Sequence, residues 1–136
     1  MVVTRISTAL EAFGDKWTLL IVRDLLFKGK GTYGEFLRSE EKIATNILAD
    51  RLLALEQAGV ITKSPDPANG TKFIYRLSKK GIDLLPMLVE MILWSATYDP
   101  HTAADAVFVQ QAREDLDGLL QQIQDQNKFE DILNIA

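Results

Sequence analysis

The sequence predicts an α+β, mostly α fold: a winged helix-turn-helix with additional C-terminal dimerisation helices. Three observations lead there. From Ile43 to Ile61, the residues Ile47, Leu48, Arg51, Leu52 and Leu55 recur at three- and four-residue steps, and Gly59 closes the pattern. That spacing describes an amphipathic helix with a glycine stop. Short helical patterns with tight turns precede it, and immediately after it the hydrophobic period changes from helix-like to alternating.

In chain order, Ser7 to Phe13 reads as a short helix, with Ser7 as cap and Gly14 as stop. Asp15 can cap a second helix from Lys16 to about Phe27, with Trp17, Leu20, Ile21, Asp24 or Leu25, and Leu26 on or near one face. The Lys28-Gly29-Lys30-Gly31 loop ends it. Thr32 and Glu35 then stand at capping-box spacing, where threonine oxygen and glutamate satisfy each other's orphan backbone donors. Tyr33, Phe36 and Leu37 form the apolar side of this third helix. Ser39 to Lys42 is a polar turn, and the Ile43–Ile61 stretch follows. Helix, short turn and helix together make a helix-turn-helix.

Val60–Ser64 and Phe73–Leu77 read as strands, with Phe73, Tyr75 and Leu77 sharing an inner face and Ile74 and Arg76 pointing outward. Between them lie Pro65, Pro67 and the hairpin dipeptide Asn69-Gly70. A hairpin directly after a helix-turn-helix is a wing. Ser78 can cap a long helix to about Tyr98, with Leu84, Leu85, Leu88, Met91, Ile92 and Ser95 on one side. Pro86 predicts a kink or an irregular start. After Asp99-Pro100, Thr102 and Asp105 can cap a final helix striped by Phe108, Ala112, Leu116, Leu119, Leu120 and Ile123. An apolar tail holds Ile132, Leu133 and Ile135.

Composition bounds the function. Of 136 residues, 47% are hydrophobic and 25% charged, as in ordinary soluble globular proteins. Charges interrupt every apolar run, and the N-terminus lacks a basic-then-apolar signal, so no membrane partner and a cytoplasmic location are expected. With no cysteine, disulfides, thiol catalysis and thiolate metal sites are excluded. A lone histidine does not make a metal site, and no nucleophile motif or phosphate loop is present; neither enzyme activity nor a metal or cofactor is expected. The net charge of −4 hides an asymmetry: residues 1–81 carry 13 Lys/Arg against 9 Asp/Glu, whereas residues 82–136 carry 2 against 10. That suggests a basic working module joined to an acidic helical tail. The expected organisation is residues 1–81 as a winged helix-turn-helix DNA-binding domain, and residues 82–136 as a helical dimerisation arm packed on it in one compact unit.

Several stretches carry a resemblance: Gly14-Asp-Lys-Trp-Thr-Leu-Leu-Ile21, Tyr33-Gly-Glu-Phe36, Asn46-Ile-Leu-Ala-Asp-Arg-Leu52 through Leu55-Glu-x-x-Gly59, and Tyr75-x-Leu-Ser-x-x-Gly81. Their order and spacing over roughly residues 6 to 97 resemble the HxlR-type winged helix-turn-helix transcriptional regulators of bacteria. The resemblance implies a homodimer, formed through the first and post-wing helices, with paired recognition helices on an operator. Two departures stand out. Many relatives have an oxidant- or electrophile-sensing cysteine before the first helix, and this chain has none. Ala44 stands where a serine or threonine cap is common.

On this reading Thr45, Asn46 and Ala49 face base edges, since asparagine can pair with adenine and alanine can meet a thymine methyl. Arg38, Lys42 and Arg51 are the phosphate candidates, and Arg51 has the alternative of pairing with Glu56 or a carboxylate of the second helix. Lys63, Lys72 and Arg76 are the wing cations. Trp94, Tyr98 and His101 are candidates for a dimer interface or an effector pocket. The expected partners are double-stranded DNA, a second copy of the chain and a small-molecule effector, with repression as the default. The alternatives are a winged-helix protein-interaction module and a small-molecule binding protein, neither binding DNA.

Overall fold

The computed structural model describes residues 5–29, 31–99, 101 and 105–135, the last eight of these by backbone path only. The chain divides into two units, residues 1–81 and 82–136. No helix among the described residues is long and apolar enough to cross a membrane.

In the first unit, α1 (Arg5–Phe13) has no buried residue. It starts earlier than expected, so Ser7 lies inside the helix, exposed, and does not cap it. Asp15 caps α2 (Lys16–Phe27) as expected, accepting the Trp17 N–H at 3.2 Å. The capping box of α3 (Tyr33–Leu37) forms in full: Thr32 Oγ1 accepts the Glu35 N–H, and Glu35 accepts the Thr32 N–H. The stretch first singled out becomes α4 (Thr45–Gln57), preceded by Ala44, which supplies no side-chain cap. Gly59 ends it in the left-handed region at φ 76°, a conformation glycine adopts without steric cost. Leu48, Leu52 and Leu55 are at most 2% exposed and form the centre of the core with Ile21, Val22, Leu25, Phe36 and Val60. Truncating one such leucine typically costs about 2–5 kcal/mol.

The wing comprises β1 (Ile61–Asp66) and β2 (Asn69–Leu77), antiparallel, with Ile61 opposite Leu77 and Pro65 opposite Phe73. Both strands run further than the pattern predicts. The turn falls on Pro67-Ala68, not on Asn69-Gly70: Asp66 pairs with Asn69, and Asp66 Oδ1 closes the turn by accepting the Ala68 N–H at 2.9 Å. Asn69 instead binds the Thr71 N–H and hydroxyl, at 3.1 and 2.7 Å. Tyr75 and Leu77 face inward as expected, but Phe73 is 42% exposed, because burial fades along β2 toward the tip.

Ser78 caps only a short α5 (Lys79–Ile82), its Oγ accepting the Gly81 N–H at 3.2 Å. Gly81 has no room for a side chain. A Cβ there would collide with the Val60 carbonyl and come within 2.6 Å of Leu77. In the second unit, α6 (Leu85–Tyr98) is a separate helix with Pro86 in its first turn, where the missing N–H has no partner to lose. The expected single helix is thus two. Leu85 and Leu88 are buried, but Met91 is 45% exposed, contrary to its place on the predicted stripe. The final helix is likewise divided into α7 (Ala106–Glu114) and α8 (Leu116–Ile135). Asp115 leaves helical geometry between them and accepts the Gly118 N–H at 3.0 Å. Asp105 caps α7 through the Val107 N–H, at 2.8 Å; Thr102 lies outside the described residues, as do the side chains of the apolar tail. Helices α6, α7 and α8 contact one another, with Val109, Ala112, Leu119 and Ile123 buried.

Candidate nucleic-acid interface

The burial of α4 sorts its residues by face. Thr45, Asn46 and Ala49 are exposed along the first turns, opposite Leu48, Leu52 and Leu55. Leu53, one turn beyond Ala49, is 53% exposed on a helix whose other leucines are buried. Its offset from the leucine stripe is the sequence signal of that exposure.

Ala44 leaves the first-turn N–H groups of α4 without a side-chain cap, and the helix start is tied to α3 in another way. The Tyr33 hydroxyl donates to the Thr45 carbonyl at 3.0 Å, tying the first helix of the motif to the second. The turn between them is held from α2. Asp24, 2% exposed, accepts the Ser39 hydroxyl at 2.5 Å and the Arg23 guanidinium at 2.7 Å. Arg23 in turn makes a bidentate pair with Glu41, both bonds 2.8 Å. Those hydrogen bonds hold the Glu41 carboxyl down at about 2 and push the Arg23 guanidinium up. A buried carboxylate requires such partners. In the sequence, the one sign of this cluster is an aspartate within the apolar stripe of α2.

Arg51 Nε is ion-paired with Asp15 Oδ2, and Arg51 Nη1 with Asp50 at 2.6 Å. This is the alternative reading of Arg51: a carboxylate at the start of the second helix engages it. Burial alone would raise the Asp15 pKa, but hydrogen bonds from Arg51, the Trp17 N–H and Thr18 bring it below its ordinary value. Around α4, Arg38 is exposed at the end of α3, and Lys42 is exposed with a left-handed backbone, φ 54°. On the wing Lys63 and Lys72 are exposed. Lys63 Nζ stands 4.2 Å from the Phe73 ring centroid, and Arg76 reaches Ser64 Oγ at 3.3 Å. In the second unit Trp94 and Tyr98 are 67% and 70% exposed, with ring centroids 5.4 Å apart. His101 is exposed and donates its backbone N–H to Asp99 Oδ1 at 3.0 Å.

Residues 12–103 match the family described as HxlR-like helix-turn-helix. The chain belongs to that family. A helix-turn-helix transcriptional regulator of Mycobacterium bovis is 33% identical over 95 residues, 70% of this chain, and the chain spans 59% of that relative's length. Among solved structures, PA1607 aligns with a TM-score of 0.66 at 38% identity, covering 74% of this chain and 70% of that one. The reduced form of the transcriptional regulator YodB of Bacillus subtilis aligns with a TM-score of 0.58 at 27% identity, covering 72% and 96%. The wing, the α3–α4 pair and the capping box are thus features of an HxlR-like chain, placed among helix-turn-helix transcriptional regulators.

Proposed function

We propose that this HxlR-like chain is a DNA-binding transcriptional regulator that meets a pseudo-palindromic operator as a homodimer and represses by occluding the promoter. The observation that carries this is the outer face of α4. Thr45, Asn46 and Ala49 are exposed and small, on a helix anchored by three leucines at most 2% exposed. Such a face enters a major groove without steric conflict and presents an amide that suits adenine. Arg38, Lys42, Lys63, Lys72 and Arg76 then neutralise phosphates. Arg51, engaged by Asp15, orients α4 and reaches a phosphate only with the edge it leaves exposed.

In this reading residues 1–81 form the DNA-binding domain and residues 82–136 the dimerisation arm. Two sets of exposed apolar side chains support a second copy as partner: Ile6 and Leu10 on α1, each 59% exposed, and Met91, Trp94 and Tyr98 on α6. With no cysteine in the chain, the input is a small molecule and not thiol chemistry. An effector would act by changing the separation of two recognition helices that must meet half-sites ~34 Å apart.

Fluorescence anisotropy with duplexes selected from a random pool tests the reading. Binding should weaken with salt at a log–log slope of roughly −0.9 per neutralised phosphate. Asn46→Ala should lose about 1–3 kcal/mol on the selected site and little on unrelated duplex. Absence of any duplex binding at low salt would overturn DNA binding and favour a protein-interaction module. Sedimentation showing only a 15.2 kDa species would overturn the dimer.

A further inference from the structure

We propose that the open groove between α3 and the wing is a binding site for a planar aromatic anion, an aromatic carboxylate being its simplest form, and that Tyr33 reports its occupancy to α4. The groove's volume is about 480 Å³. That is enough for a small organic ligand, for which pockets of roughly 300–1,000 Å³ are usual. Its walls differ in kind. Arg38 stands on the α3 side and Lys72 on the wing side, both exposed; Tyr33 and the 42% exposed Phe73 contribute aromatic faces. Lys63 over the Phe73 ring adds a third positive charge close by.

The acidic lining residue Asp66 has one carboxylate oxygen engaged by the Ala68 N–H at the wing turn. Gly34 forms part of the lining, and a Cβ there would meet nothing nearer than Arg38 Nη1 at 3.6 Å. Two cations and two aromatic residues lining one groove suit a flat ligand with a negative end: the carboxylate takes charge-assisted bonds while the ring covers Phe73 or Tyr33.

What gives such a site consequence is that Tyr33 belongs to two structures at once. It is one of the residues lining the groove, and its hydroxyl donates to the Thr45 carbonyl at 3.0 Å. That bond ties the Tyr33 side chain to the first turn of α4, whose cap residue Ala44 adds no side-chain bond of its own. A ligand that prefers one Tyr33 orientation therefore shifts how Thr45 and Asn46 are presented. Only the identity of what is then regulated rests on the DNA-binding reading.

The test needs no DNA. The full-length protein is titrated with 2-naphthoate and followed by amide NMR, with 2-naphthylmethanol as the uncharged control. The expected result is saturable shifts in the amides of residues 32–38 and 71–75, and roughly tenfold weaker binding of the alcohol, the loss of one charge-assisted contact. Arg38→Gln and Lys72→Gln should each weaken naphthoate by about the same factor. Gly34→Leu should fill the groove and abolish binding while leaving the remaining spectrum dispersed. Shifts at Thr45 and Asn46 should accompany binding in the parent protein and disappear in Tyr33→Phe. Shifts centred on Trp94 and Tyr98, equal affinity for acid and alcohol, or no effect of Gly34→Leu would overturn the site. Persistence of the Thr45 shift in Tyr33→Phe would overturn the coupling.

Discussion

Arg51, on α4, is ion-paired with Asp15, the residue that caps α2. The two stand far apart in sequence, and their pairing fixes the outer helix of the motif against the start of the helix beneath it. Asp15 also accepts the Thr18 hydroxyl at 3.0 Å, so one carboxylate serves the cap and the ion pair together. Asp15→Ala should lower stability by about 1 kcal/mol through the lost cap, and more if the pair is coupled to it. A thermal-denaturation cycle of Asp15→Ala, Arg51→Ala and the double variant checks this. The two changes should be non-additive, as expected for groups in contact; strict additivity would deny the pair an energetic role.

Glu41 gives the protein an acid-sensitive joint. Its folded pKa of about 2 lies below its ordinary value of 4.5 because Arg23 donates two hydrogen bonds to it. A lowered carboxylate pKa contributes stability that is fully present above about pH 4.5 and is lost as pH falls from there toward 2. The contribution is about 1–2 kcal/mol once solvent screening of a partly exposed pair is allowed for. Urea unfolding of Glu41→Gln should show that loss at pH 7 and a flatter dependence on acid below pH 4.5 than the parent. Parallel acid profiles for both proteins would contradict it.

Ala44 leaves a cap position vacant with the right backbone, φ −68° and ψ 145°. Ala44→Ser should therefore stabilise the protein by roughly 0.5–1 kcal/mol, its hydroxyl accepting an N–H of the first turn. A rise in Tm for serine but not for valine would establish capping as the cause.

Gly81 tests close packing and not backbone freedom. Gly81→Ala places a methyl against the Val60 carbonyl and Leu77 and should cost about 1–3 kcal/mol. Gly59→Ala has open space around it but must keep a left-handed backbone, at about 1 kcal/mol. Chemical denaturation of the two variants should rank them in that order.

The sequence by itself determined the elements whose cause is local. Leucine spacing made α4, Asp15 capped α2, Thr32 with Glu35 opened α3, and alternation made the wing, because periodicity and capping act within a few residues. Pro86 announced a disturbance but not a full break between α5 and α6, and Asp115 divided the last helix without an equally clear sign. Only the tertiary structure decided what depends on residues distant in sequence: Arg51 on Asp15, Asp24 on Ser39, Tyr33 on Thr45, and Gly81 against Val60. A carboxylate, a guanidinium or a phenol can find its partner anywhere the fold brings one. Which residues α4 turns outward follows from the helix's own pattern, and how it is held in place follows from those long-range pairs.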